Sequence, residues 1–236
     1  MRVTSRPNKR SVIVYDDKCV QKPRPEWFVP DYWLSDGRVR GFAKGRGLAV
    51  FLDAPFGPAV LRLFRRGGWA ARVSRKRYIY LGVNRSRPFR EFHLLADMRE
   101  KELPVPKPLA AICERFGLFY QGALITQTLV DCSPLADLLT AGLDLATWRS
   151  IGQCIERFHD AGVHHADLNA RNILVRKGDR KVFLIDFDRG AMTGGHASVG
   201  RGNIARLERS LNKLWPADAP LSKDDAWEAL LAGYRG

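Results

Sequence analysis

The sequence predicts an α+β fold in two lobes, a small β-rich N-terminal lobe over residues 1–130 and a mainly helical C-terminal lobe over 131–236. Three observations predict it. Short apolar runs separated by Gly/Pro turns fill the first half, and the clearest 3.6-residue periodicity lies in the second, over 144–161. Directly after that helical stretch comes a polar run, 165–172 (His-Ala-Asp-Leu-Asn-Ala-Arg-Asn), with apolar strand-like segments behind it. With 45% hydrophobic and 27% charged residues in a chain of 236, disorder is not the default.

Taken in order, residues 1–34 read as an irregular lead-in in which Pro23, Pro25 and Pro30 space Trp27, Phe28, Tyr32 and Trp33. Segments 48–52 and 59–64 read as a hairpin about a Gly/Pro turn, preceded by the glycines Gly41, Gly45 and Gly47. Ser86-Arg87-Pro88 has the composition of a helix start, and Phe89, Phe92, Leu95 and Ala96 follow at helical spacing up to the break at Pro104 and Pro106. Glu91 falls at the edge of that helix's buried face, where a carboxylate needs a cationic partner. Segments 109–113 and 123–130 read as strands. In the helix over 144–161, Leu145, Trp148, Ile151, Ile155 and Phe158 form one stripe, and Gly162 is the stop. Segments 173–175 and 182–185 flank the turn Lys177-Gly178-Asp179, and the remainder is mostly helical, with Ile204, Leu207, Leu211 and Leu214 on one face.

Charge narrows the partners. The formal net charge is +14, and 54–90 holds no acidic residue but ten cations: Arg62, Arg65, Arg66, Arg72, Arg75, Lys76, Arg77, Arg85, Arg87 and Arg90. Such a balance calls for a polyanion, whether nucleotide, nucleic acid or an anionic membrane surface. The four cysteines show no C-x-x-C spacing, so neither a zinc site nor a disulfide framework is expected. Nor does any run of about 18 apolar residues occur, so membrane contact is expected to be peripheral.

The chemistry concentrates in 165–188. Asp167, Asn172 five residues on and Asp186 fourteen further match the needs of phosphoryl transfer. One carboxylate takes or orients the acceptor hydroxyl proton, while an amide oxygen and a second carboxylate hold magnesium against the nucleotide phosphates. Asp167 is the candidate catalytic residue and Asn172 and Asp186 the candidate metal ligands. His165 reads as a packing residue of the loop, and Asn169 and Arg171 as facing acceptor or phosphates. Gly45 and Gly47 read as a phosphate-covering loop, and Arg62 as the strand cation paired with Glu91.

The chain resembles the lipopolysaccharide kinase family. The resemblance is carried by Leu61-Arg62-Leu63-Phe64-Arg65-Arg66-Gly67-Gly68, Tyr80-Leu81-Gly82, Leu103-Pro104-Val105-Pro106-Lys107-Pro108, the run 165–172, Ile185-Asp186-Phe187-Asp188 and the segment 203–211 (Asn-Ile-Ala-Arg-Leu-Glu-Arg-Ser-Leu). It implies a protein-kinase-like fold with ATP and Mg2+ as cofactors. It also implies phosphorylation of the 4-hydroxyl of a 3-deoxy-D-manno-octulosonic acid (Kdo) residue on a lipid A precursor, at the cytoplasmic side of the bacterial inner membrane. The basic block 62–90 would then meet the anionic membrane surface, with Trp69, Tyr78 and Tyr80 at the interface, and no nucleic acid is expected as partner. Against the general protein-kinase pattern, Arg62 stands for Lys, Asn169 for the catalytic-loop Lys, and Asp188 for the Gly of Asp-Phe-Gly. Seventeen residues separate Asp186 from Ile204, too few for a peptide-binding activation segment. Rival readings are a kinase of a heptose or a small molecule, a pseudokinase, and a basic nucleic-acid-binding module; the intact Asp167/Asn172/Asp186 set disfavours the pseudokinase.

Overall fold

The computed structural model describes residues 1–8, 10–43, 49–64, 78–193 and 196–235. By its internal contacts the chain divides into two compact units, Met1–Asp97 with Pro106–Thr128, and Met98–Val105 with Leu129–Gly236.

The first unit is built on an antiparallel sheet of β1 (Val3–Asn8), β2 (Ser11–Asp16), β3 (Val39–Phe42), β4 (Ala49–Ala54), β5 (Gly57–Leu63), β6 (Tyr78–Ile79), β7 (Pro108–Phe116) and β8 (Phe119–Gln127). The order is β1-β2-β7-β8-β5-β4-β3, with β6 also paired to β8. Alternation along the strands separates two faces. Ile13, Leu61, Ala110, Ile112, Ala123 and Ile125 join one core with Phe28 and Trp33. Those two aromatics come from a 3-10 turn (Pro25–Phe28) and from α1 (Pro30–Ser35). The other face of β5 and β8 meets α2 (Arg87–Glu100), where the Tyr120 hydroxyl accepts from the Arg87 amide at 3.0 Å. Gly122 permits that approach, because a Cβ there would lie 2.5 Å from Pro88 Cγ and 2.6 Å from the Ile112 carbonyl.

Residues 1–34 are therefore not an irregular lead-in. β1 and β2 form a hairpin that joins the sheet through β2 and β7, with Ile13 opposite Ile112. The partner strand lies far along the chain, so the pairing that orders this segment has no local signature. Asp16 anchors the hairpin: its buried carboxylate accepts from the Arg2 amide at 3.1 Å and pairs with Lys107 Nζ at 3.1 Å.

In the second unit α4 (Leu145–Asp160) starts at Asp144, whose Oδ1 accepts from the Thr147 amide at 2.8 Å, a side-chain cap for an otherwise orphan donor. Trp148, Ile151, Ile155 and Phe158 are buried, as the stripe predicts, whereas Leu145, in the first turn of the helix, is exposed. Next to α4 lies α6 (Lys223–Tyr234), at glycine-limited distance: a Cβ on Gly152 would stand 2.0 Å from the Leu230 carbonyl, and one on Gly233 2.1 Å from that of Arg149. Gly162 ends α4 at φ +73 and receives the Thr193 amide on its carbonyl at 2.7 Å. β10 (Val163–His164) pairs with β13 (Ala191–Met192). β11 (Ile173–Arg176) pairs with β12 (Val182–Leu184) and with β9 (Cys132–Pro134), which leads into α3 (Leu135–Leu138). α5 spans His196–Leu214. Residues Met98–Val105, in the N-terminal lobe by sequence position, count with this unit; the Pro104 carbonyl accepts from the Leu184 amide at 3.1 Å. Among the described residues all four cysteines are free, and no helix is long and apolar enough to cross a membrane.

Candidate active site

The run 165–172 folds into a loop between β10 and β11 that is wired to its own backbone. Asn172 Nδ2 donates to the Asp167 carbonyl at 2.9 Å, and the Asn172 carbonyl accepts from the Ile185 amide at 3.0 Å, one step beyond the Ile173/Leu184 pair of the β11–β12 ladder. The hairpin thus sets Asn172 beside the peptide that leads into Asp186. Asp186 has a left-handed backbone at φ +65, a conformation that costs a non-glycine residue roughly 1–3 kcal/mol. Since the Asn172 amide nitrogen is spent on the loop, its Oδ1 is the atom left for a cation.

His165 ties the two halves together. The ring Nε2 lies 2.9 Å from the Ile185 carbonyl, and Nδ1 lies 3.2 Å from the Asp167 amide. A carbonyl can only accept and an amide N–H can only donate, so the ring carries its proton on Nε2 and is neutral. Burial pushes its pKa below the ordinary histidine value, against the Ile185 hydrogen bond and the charges of Asp186 and Asp167, which push it up. The ring packs 4.6 Å from Phe187, which stacks on Phe158 of α4 at 5.7 Å. His165 is accordingly a packing residue. Asn169, expected to face the acceptor, instead closes on its own loop: its Nδ2 donates to the Asp167 carbonyl at 2.9 Å and its Oδ1 accepts from the Arg171 amide at 2.9 Å.

Three residues of α5 reach this loop, and apolar periodicity alone missed them. Asn203 accepts from the His165 amide at 3.2 Å through Oδ1 and donates to the His165 carbonyl at 2.7 Å through Nδ2. Ser210 Oγ accepts from the Ala170 amide at 3.1 Å. Between them, Arg206 Nη1 donates to Asp167 Oδ1 at 3.0 Å. Positions 203, 206 and 210 share one helix face, and the signal was present as the i, i+3, i+7 polar spacing inside 203–211. Asn203 Oδ1 also accepts from His159 Nε2 at 3.2 Å, and His159 Nδ1 accepts from the Tyr234 hydroxyl at 2.8 Å, so α4, α5, α6 and the loop share one buried network.

In the first unit Arg62 on β5 pairs with the buried Glu91 of α2. The Arg62 guanidinium also lies 4.6 Å from the Phe64 ring centroid, which fixes its plane. Gly45 and Gly47 lie outside the described residues, as does 65–77 with Trp69. Tyr78 packs on Tyr120 at 5.4 Å and accepts from Arg87 Nη1 at 2.7 Å.

No group of three or more His, Cys, Asp or Glu side chains forms a metal cage among the described residues. Magnesium does not need one. It keeps waters, takes one or two protein oxygens and completes its shell with substrate phosphates, so the hard oxygens of Asn172 and Asp186 fit it.

The sequence pattern of the lipopolysaccharide kinase (Kdo/WaaP) family matches residues 30–234. The chain belongs to that family. It is 45% identical over 203 residues to a 3-deoxy-D-manno-octulosonic acid kinase of Stenotrophomonas maltophilia (strain R551-3), covering 86% of this chain and 80% of that protein. To the protein of the same name from Xanthomonas campestris pv. campestris (strain B100) it is 45% identical over 223 residues, 94% of this chain and 88% of the relative. Among solved structures, WaaP in complex with acyl carrier protein aligns at TM-score 0.55 with 14% identity, over 84% of this chain and 78% of that one. An amicoumacin kinase in complex with AMP-PNP and Ca2+ aligns at TM-score 0.58 with 12% identity, over 84% and 72%. At those identities the likeness shows the α+β fold that this lipopolysaccharide kinase family member shares with other kinases.

Proposed function

We propose that the protein is a Kdo kinase, transferring the γ-phosphoryl group of ATP to the 4-hydroxyl of a Kdo residue on a lipid A precursor. The observation that carries this reading is the Asp167/Asn172/Asp186 loop in a chain 45% identical, across most of its length, to 3-deoxy-D-manno-octulosonic acid kinases. The two compact units are the lobes of a protein-kinase-like fold. Asp167 accepts the hydroxyl proton as the sugar oxygen bonds to the γ-phosphorus and the bond to the β-phosphate oxygen breaks, releasing ADP. Arg206 holds Oδ1 of that carboxylate, which leaves Oδ2 for the acceptor. It also supplies the cation that Asn169 cannot, in place of the lysine of the general kinase loop. Both side chains are about half exposed, at 48% for Arg206 and 62% for Asp167. A pair so exposed contributes only about 0–1 kcal/mol to stability, so its value lies in orientation. Asn172 and Asp186 hold Mg2+, which when bound neutralises phosphate charge. Arg62, kept in place by Glu91, and the Gly45/Gly47 segment bind the nucleotide phosphates; a guanidinium there offers a planar fork rather than a point charge. The acceptor's lipid anchor places the enzyme peripherally at the cytoplasmic face of the inner membrane, where the cations of 62–90 favour anionic headgroups.

Mass spectrometry of a Kdo-bearing lipid A precursor after incubation with enzyme, ATP and magnesium tests the reading, with a heptose-bearing acceptor lacking unsubstituted Kdo as control. A single phosphate on the Kdo sugar is expected. Phosphate only on heptose, or on neither acceptor, would overturn it.

A further inference from the structure

The far end of the first unit's sheet carries an apolar edge that no part of the proposed chemistry uses. β6 pairs with β8 so that Ile79 lies opposite Phe119, and Phe119 lies opposite Phe116 across the β7–β8 turn. Directly opposed residues share a face. This is the face that carries Ala123 and Ile125 into the core further along β8, but at this end the side chains stand in solvent: Ile79 is 59% exposed, Leu81 67%, Leu118 at the turn 77% and Phe119 39%. The backbone beneath them is satisfied, since the Tyr80 amide donates to the Leu118 carbonyl at 2.9 Å, so the edge offers side chains rather than free strand hydrogen bonds. On the opposite face of the same strands Tyr78, Tyr80 and Tyr120 pack together, which gives the protruding tip a rigid base.

The charges around the tip are mostly of one sign. Arg115, exposed, donates through Nε to the Gly117 carbonyl at 2.9 Å and lays its guanidinium 4.8 Å from the Tyr80 ring centroid. The Arg115 amide donates to the carbonyl of exposed Arg10 at 2.8 Å. Arg85 and Arg90, both exposed, follow Ile79 by six and eleven residues, and the half-buried Glu114, which lies opposite Gln121 on the face of Phe119, is the single acid in β7. Aliphatic and aromatic tips flanked by arginines match the interfacial zone of a bilayer with anionic headgroups, where apolar groups enter the acyl boundary and guanidinium groups stay with phosphate.

We infer that Ile79, Leu81, Leu118 and Phe119 form an insertion edge that seats the protein in an anionic lipid surface. The inference rests on the lipid-linked acceptor of the proposed function for its biological sense, and on exposure, register and charge for its evidence. It differs from attraction by the basic block, because it assigns a non-electrostatic, salt-resistant part of binding to four apolar side chains.

The test is co-flotation of the full chain with vesicles of phosphatidylethanolamine and phosphatidylglycerol at about 0.3 M salt, where long-range attraction is screened. Wild type is compared with the double variant Leu81→Ser/Leu118→Ser, both positions lying outside the regular strands. Partition is expected to fall at least tenfold, with an unchanged thermal melt and unchanged turnover on a water-soluble, deacylated Kdo acceptor. In a second arm, Leu118→Trp is expected to shift its fluorescence to the blue on adding these vesicles. Partition of the double variant equal to wild type, or a Leu118→Trp spectrum indifferent to vesicles, overturns the inference. So does a wild type that ignores vesicles but self-associates through this edge, with the double variant monomeric; the surface is then a contact between copies. Failure to phosphorylate the deacylated acceptor would count against the proposed function alone, since flotation and fluorescence do not depend on turnover.

Discussion

Asp167 and Arg206 form the contact on which the proposed chemistry turns most directly. Asp167→Ala is expected to lower kcat by about 10²–10⁴-fold, the usual worth of a positioned base, with nucleotide affinity little changed; single-turnover kinetics and nucleotide titration check it. Arg206→Ala should cost roughly 10²-fold in kcat, the loss of one charge-stabilising donor, with the KM for ATP nearly constant and Arg206→Lys recovering part of it. A wild-type kcat in all three variants would return the pair to a surface ornament. His165 adds a pH dependence. Its folded pKa lies below the unfolded value of about 6.5, so the unfolded chain binds the extra proton. Stability is therefore full above about pH 6.5 and is lost as pH falls below it, by at most about 1.4 kcal/mol per pH unit. Urea unfolding of the metal-free protein between pH 7.5 and 5.5 should show this fall, and His165→Gln should flatten it.

Elements position these residues through two devices, a polar latch and a glycine contact. The latch is the face of α5 that carries Asn203, Arg206 and Ser210 onto the loop. Asn203→Leu removes the side-chain partner of the His165 backbone amide and carbonyl, and calorimetry should register a loss of roughly 1–3 kcal/mol together with lower turnover. At the glycine contact, α4 and α6 approach so closely that a Cβ at Gly152 would overlap the Leu230 carbonyl. Gly152→Ala gains helix propensity of about 1 kcal/mol, yet the overlap should outweigh it, giving a net destabilisation of about 1–3 kcal/mol by urea unfolding. Local pattern exposed the helix over α4, with its Asp144 start and Gly162 stop, and the β11–β12 hairpin, because capping, period and turn chemistry act within a few residues. The first hairpin, β1 with β2, escaped because its order comes from pairing with β7 much later in the chain.

At the scale of the molecule the net charge of +14 has a measurable consequence. Screening shortens to about 10 Å at 0.1 M salt, so binding to anionic vesicles should weaken as salt rises from about 0.05 to 0.3 M and then level off where apolar insertion carries the remainder. Continued decay to nothing would leave electrostatics alone. Family and fold class were legible in the sequence, and the spacing of Asp167, Asn172 and Asp186 was enough to propose the site, because phosphoryl transfer restricts residue type at short, fixed spacings. So was the demand of Glu91 for a cation, since a carboxylate on a buried helix face is costly alone. Spacing in the chain could not say that Arg206 would reach Asp167, that Asn169 would turn back on its own loop, or that Ile79 and Phe119 would share an uncovered face. Those depend on which distant segments pack together, and only the tertiary structure decided them.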